Sequence, residues 1–256
     1  CRIRATVADG GSDSDTSDAD FIIDSTPPAL DIQSVKQDGV GLLGGPVAVR
    51  GLVEVQVAAA DALSGLAAPP TVTLIYSDDT SEQATLVGEG PPGVFRYAAV
   101  ITGATPNGPC TVEASAEDRA GNEATAGAKQ FMVNVNALTA TVELENYVGS
   151  PGAALTFRFA FSDANGSVLE ERTVDIPFTN HRATEQVILD GVPDGAVAVS
   201  CKEVDHFLRR RVAIGGTAPD LTADFTGQNK LLGGDYNDDN VVDVHDPVSY
   251  THLTLP

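Results

Sequence analysis

Short runs in which apolar and polar residues alternate recur from Ala29 to Phe225, each closed by Gly, Pro, Asn, Asp or Ser. A period of two is the side-chain repeat of a strand. In Val53-Glu54-Val55-Gln56-Val57 the three valines share one face, and Glu54 and Gln56 take the other. Composition agrees where it bears on this point: no Trp, one Met, 25 Gly and 15 Pro suit turn-rich β-structure better than helical bundles. The chain reads as all-β, with tandem sandwiches.

Tandem prolines in Ser25-Thr26-Pro27-Pro28 force an extended, stiff path, so they read as a linker. Before them, residues 1–25 read as the remnant of a preceding β-module. Its expected arms are Cys1–Val7 and Phe21–Asp24, with a solvated acidic turn holding Asp13, Asp15, Asp18 and Asp20. Residues 26–136 read as one sandwich, with strands expected at Ala29–Val35, Val47–Ala59, Thr71–Tyr76, Gln83–Val87, Phe95–Ile101, Cys110–Ala116 and Lys129–Val135. About seven short strands is the count of an immunoglobulin-like sandwich. A second sandwich is expected over 137–227. Its strands are Thr139–Leu144, Ala154–Phe161, Leu169–Ile176, Thr184–Leu189, Ala196–Lys202, Phe207–Ile214 and Leu221–Phe225.

Two turns carry a family resemblance. Ala60-Asp61-Ala62-Leu63-Ser64-Gly65-Leu66 and Ala116-Glu117-Asp118-Arg119-Ala120-Gly121-Asn122 resemble turns of bacterial immunoglobulin-like modules, over residues 26–136. The resemblance implies tandem spacers in a secreted protein. Asp61, Asp118 and Asn122 are oxygen-bearing and could hold an ion at a module end, but turn stabilisation is the favoured role. The second unit resembles prealbumin-like or fibronectin-like spacers.

Residues 228–246 carry the sharpest chemical signal. From Asp235 to Asp246, oxygen-bearing side chains fall at positions 1, 3, 5, 9 and 12 of a twelve-residue loop: Asp235, Asn237, Asp239, Asp243 and Asp246. An EF-hand-type loop places its Ca2+ ligands there, with a backbone carbonyl, here that of Val241, at position 7. Asn240 stands at position 6, where the chain must turn sharply, and tolerates a left-handed backbone better than most residues. The carboxylates would repel one another strongly without a cation. The run Gly234-Asp235-Tyr236-Asn237-Asp238-Asp239, continued by Val242-Asp243 and Asp246, resembles the first half of a dockerin type I module. That resemblance implies a cohesin-like partner, or a cell-surface protein, and possible attachment to a polysaccharide-degrading enzyme. Position 6 departs from the family's Gly, and one repeat is present rather than two. The tail 247–256 resembles translated adapter sequence and is given no role.

The formal net charge of −21 opposes nucleic acid and anionic membranes as partners. Cys1, Cys110 and Cys201 are too few and too dispersed for a disulfide framework, so the latter two read as buried thiols. No initiator Met, signal peptide or membrane span is seen, and the chain reads as a piece of a longer protein whose secretion those absences leave open. Gly39–Gly44 matches a dinucleotide fingerprint, but turn and strand signals follow it instead of a helix. Glu170 and Glu171 are adjacent in a strand and point to opposite faces, and Arg209-Arg210-Arg211 is expected to pair with acids. The overall expectation is a monomeric, extracellular, non-catalytic segment: spacer sandwiches with a calcium-dependent docking unit. The alternative is an adhesin or stalk whose calcium loop is only structural.

Overall fold

The computed structural model describes residues 4–6, 14–16, 23–148, 151–205, 207–234 and 240, the first two stretches as backbone only. There, β1 (Arg4–Thr6) pairs antiparallel with β2 (Ser14–Thr16), Ala5 opposite Asp15. The second arm thus falls inside the acidic run expected to form the turn. Ile23 and Asp24 belong to no strand, and Ile23 is exposed, with no sheet face to cover it. Phe21 and Ile22 lie outside the described residues.

The first sandwich is built from β3 (Ala29–Gln37), β4 (Val40–Gly41), β5 (Gly51–Ala60), β6 (Thr71–Ile75), β7 (Ser81–Gln83), β8 (Thr85–Glu89), β9 (Val94–Ile101), β10 (Gly108–Glu117), β11 (Glu123–Thr125) and β12 (Lys129–Val133). One sheet has the order β4-β3-β5-β9-β8. The other has β11-β10-β6-β7, with β12 also on β10. Lettering β3, β5, β6, β8, β9, β10 and β12 as A to G gives the A-B-E-D and C-F-G sheets of an immunoglobulin-like sandwich. Val53, Val55 and Val57 share the buried core with Val72, Leu74 and Val112, while Glu54 faces water. Asp38 and Gly39, at φ 50° and 79°, close β3 onto β4 as a two-residue hairpin loop, so the glycine run of 39–44 opens no helix.

One expected strand proves to be two. Gln83 ends β7 in one sheet and Thr85 opens β8 in the other. Between them Ala84 is buried, and its N–H donates to the Val72 carbonyl at 2.9 Å, so the crossing leaves that donor satisfied. No Gly or Pro marks the switch, and Gln83–Val87 therefore reads as continuous.

The second sandwich comprises β13 (Ala137–Val142), β14 (Ala153–Ser162), β15 (Val168–Thr179), β16 (Arg182–Ala183), β17 (Val187–Asp190), β18 (Ala198–Glu203), β19 (Arg210–Ala213), β20 (Gly215–Thr217) and β21 (Asp220–Phe225), followed by a single 3-10 turn at Gly227–Asn229. Its sheets have the orders β17-β13-β21-β20 and β16-β15-β14-β18-β19, and β13 runs parallel to β21. Phe157, Phe159, Phe161, Phe178 and Phe225 fill this core, with the Phe157 and Phe178 rings stacked at 5.3 Å. It is separate from the first core, which ends at Val135.

Strand register fixes where the chain enters and leaves. Ala29 pairs with Ala60 and Gln37 with Val53, so β3 runs from the end bearing Asp61 towards the end bearing Gly51, Ile101 and Val133. In the second sandwich Ala137 lies opposite Asp190 and Asp220, whereas Val142 lies opposite Phe225. Asp190 and Asp220 therefore face the first sandwich, and Leu231, bridged to Leu144, sits at the far end. The two sandwiches stand in series.

Candidate functional site

The end of the first sandwich where the chain enters gathers three carboxylates. Asp24 precedes the two prolines; the Ala29–Ala60 register then brings it beside Asp61, the residue after β5. Asp118 follows β10, and its loop is tied to the 61–66 loop by N–H bonds from Ala67 to the Glu117 carbonyl (2.9 Å) and from Arg119 to the Gly65 carbonyl (3.0 Å). One carboxylate oxygen from each of Asp24, Asp61 and Asp118 lies within 4.8 Å of the others, the one such group of three among the described residues.

Each acid is anchored by donors. Asp61 Oδ1 accepts from the backbone N–H groups of Leu63 (3.1 Å), Ser64 (2.7 Å) and Gly65 (2.7 Å). Asp118 Oδ1 accepts from Ala120 N–H (2.8 Å) and Asn122 N–H (2.9 Å), and its Oδ2 from Asn122 Nδ2 (2.7 Å). Asp24 Oδ2 accepts from Ser64 N–H at 3.0 Å, and Asn122 Nδ2 also reaches the Asp24 carbonyl at 3.4 Å. Asp61, Asp118 and Asn122 thus perform the turn-stabilising role read from the sequence. The Gly65 N–H, chiefly, holds the Asp61 carboxyl below its ordinary range. Burial works against ionisation of Asp118, but the donors on Asn122, Ala120 and Gly121 outweigh it and hold that carboxyl low as well. The set is all oxygen, which suits a hard cation such as calcium and no soft metal.

Sequence reasoning misses Asp24, although a signal for it exists. A residue just ahead of a stiff Pro-Pro segment that leads directly into β3 must lie near whatever comes after the strand paired to the start of β3. Only the pairing of β3 with β5 identifies that neighbour as Asp61.

Of the calcium loop expected at the C-terminal end, Asp235, Asn237, Asp239, Val241, Asp243 and Asp246 lie outside the described residues, as does the tail 247–256. Asn240 is described and has φ 64°, the left-handed backbone that position 6 of such a loop requires. Its Oδ1 accepts from the Arg209 N–H, which sets this residue against the second sandwich.

The arginine run is spent mainly on oxygen acceptors that carry no charge. Arg209 approaches Glu171 at 3.8 Å and donates to Ser200 Oγ at 3.0 Å. Arg210 donates to the Gln228 carbonyl at 2.9 Å, and Arg211 to Ser162 Oγ at 3.1 Å. Expected pairing with acids therefore holds for Arg209 alone of the three among the described residues. Glu170 binds Arg172 at 2.6 Å while Glu171 turns to Arg209, as opposite strand faces demand. Cys110 and Cys201 are both buried and free; burial first, then Glu82, pushes the Cys110 thiol up to about 12. Among the described residues, no helix is long and apolar enough to cross a membrane.

No family profile matches the chain, and no curated protein matches it. Among solved structures it is similar to a tetra-tandem repeat in the extending region of a large adhesion protein, at 18 % identity and TM-score 0.29, over 70 % of this chain and 46 % of that one. It is also similar to BcpA, the major pilin subunit of Bacillus cereus, at 10 % identity and TM-score 0.26, over 77 % of this chain and 69 % of that one. A DUF4785 family protein from Legionella pneumophila aligns at 10 % identity and TM-score 0.32, over 69 % of this chain and 52 % of that one. The chain spans less than half the length of the adhesion-protein structure. Scores this low carry no argument about function; the all-β fold stands on the strands and their pairing.

Proposed function

We propose that this chain is a non-catalytic spacer, a segment of the stalk of an extracellular adhesin-like protein. The observation that carries the reading is the serial path. The chain enters at the Asp24 end of one sandwich and reaches Leu231 at the opposite end of the next, so each sandwich adds its full length between whatever is attached on either side. A sandwich whose two ends lay side by side would add no reach. Small-angle X-ray scattering of the chain in solution is the test, and an elongated particle is expected. A particle as compact as a globule of the same mass would remove the basis for a spacer.

Calcium at Asp235, Asn237, Asp239, Val241, Asp243 and Asp246 belongs to the same proposal, as a structural ion. The bond from Arg209 to Asn240 supports a loop that stiffens the end of the second sandwich over one held out as a free docking unit. The dockerin-like spacing keeps a cohesin-like partner as the second reading. Calorimetric titration with calcium should show binding that Asp235→Ala with Asp246→Ala abolishes. Heat retained in that variant but lost in Asp61→Asn would move the ion to the opposite end of the chain. Retained binding to a cohesin would restore the docking reading.

A further inference from the structure

The segment joining the sandwiches is built unlike a linker. Connections between independent domains are ordinarily exposed and cross few contacts. Here Val135, Asn136 and Ala137 are all buried, and nearly every polar group along the segment has a partner on one sandwich or the other. Asn134 N–H donates to the Ala48 carbonyl (2.8 Å) and Val135 N–H to Asn107 Oδ1 (2.7 Å), both in the first sandwich. From the second sandwich, Val192 N–H donates to the Asn136 carbonyl (2.9 Å) and the Pro219 carbonyl accepts from Ala137 N–H (2.8 Å). Asn134 Nδ2 reaches the Val192 carbonyl at 2.8 Å, and Asn136 Nδ2 reaches Asp194 Oδ1 at 3.3 Å.

One side chain ties both bodies and the segment together. Arg50, on the first sandwich, donates through Nε to the Val135 carbonyl at 2.8 Å. Through Nη2 it donates to the Pro219 carbonyl at 3.0 Å and to Asp220 Oδ1 at 2.6 Å, both on the second. Gly103 makes room for it: a Cβ there would stand 3.3 Å from the guanidinium carbon. On the other side of the joint Gly191 fits beneath Val49, whose Cγ1 would lie 2.8 Å from an added Cβ. Three oxygens converge on one planar guanidinium, whose rigid fork of donors fixes their positions relative to one another.

We propose that Arg50 locks the two sandwiches into one rigid body, so that the unit of the spacer is the pair. The inference deepens the spacer reading but is tested apart from it, since a chain that binds no calcium or serves another role would still show the lock. Nitrogen-15 relaxation of the whole chain is the experiment, run in calcium and again in excess EDTA. Amides of 29–135 and 137–231 should follow one rotational diffusion tensor in both buffers, with order parameters at 134–137 as high as in the strands. Arg50→Met should split them into two tensors and lower the apparent correlation time of each sandwich, with both cores keeping their chemical shifts. Two tensors in the unaltered chain would overturn the lock. A split appearing only in EDTA would give the lock to a bound cation instead of Arg50, and a single tensor persisting in Arg50→Met would overturn the part given to Arg50. Should Arg50→Met not fold, Arg50→Lys, which keeps the charge but cannot bridge three oxygens, is read by the same criteria.

Discussion

Asp118 is almost wholly shielded from water at 1 % exposure, yet its carboxyl is held below the ordinary value of 3.8 because it collects donors from Ala120, Asn122 and the Asn122 side chain. A carboxyl depressed in the folded state stabilises at pH values above its unfolded pKa, and that contribution is lost as pH falls through the folded value. Asp61 has the same sign. Asp118→Ala should therefore melt below the unaltered protein at neutral pH, in EDTA, and the gap should close as pH falls below about 4. Thermal unfolding followed across that range checks this; a gap that stays constant with pH would show that Asp118 acts through packing and not through charge.

Among the elements, strand faces decide the cost of a substitution. Phe159 on β14 is fully buried with Phe157, Phe161 and Phe225 around it, so Phe159→Ala removes a large side chain from a packed core and should cost about 3–5 kcal/mol. Ile188 on β17 is equally apolar but 63 % exposed, and Ile188→Ala should fall within roughly ±0.5 kcal/mol. Urea unfolding monitored on each variant separates the two, and similar costs would mean that the two positions do not differ in burial as assigned. Alternation makes Val53–Val57 and most strand centres readable, because a half-buried strand stamps its period on the residues. The sheet switch at Ala84 is not readable, since it depends on which sheet each neighbour joins and leaves no turn residue behind.

For the whole molecule, the serial path makes a quantitative forecast. A compact globule of this chain length has a radius of gyration of about 18 Å. Two sandwiches end to end, each spanned by strands of up to ten residues or more at about 3.3 Å per residue, should exceed that clearly. Scattering that returned the compact value would contradict a locked, extended pair. A net charge of −21 opposes self-association through a long-range repulsion that salt screens.

By itself the sequence determined the all-β class, the two runs of strands and the turn roles of Asp61 and Asp118, and it supplies the oxygen-bearing spacing over 235–246 from which the calcium proposal is drawn. Those properties are local, set by side-chain period, by turn-forming residues and by the number of oxygens in a short loop. Tertiary structure alone decided that Asp24 joins Asp61 and Asp118, and that Arg50 reaches across to Pro219 and Asp220. Partners 37 to 170 positions apart are chosen by strand register and by how two folded bodies abut, and no local pattern encodes either.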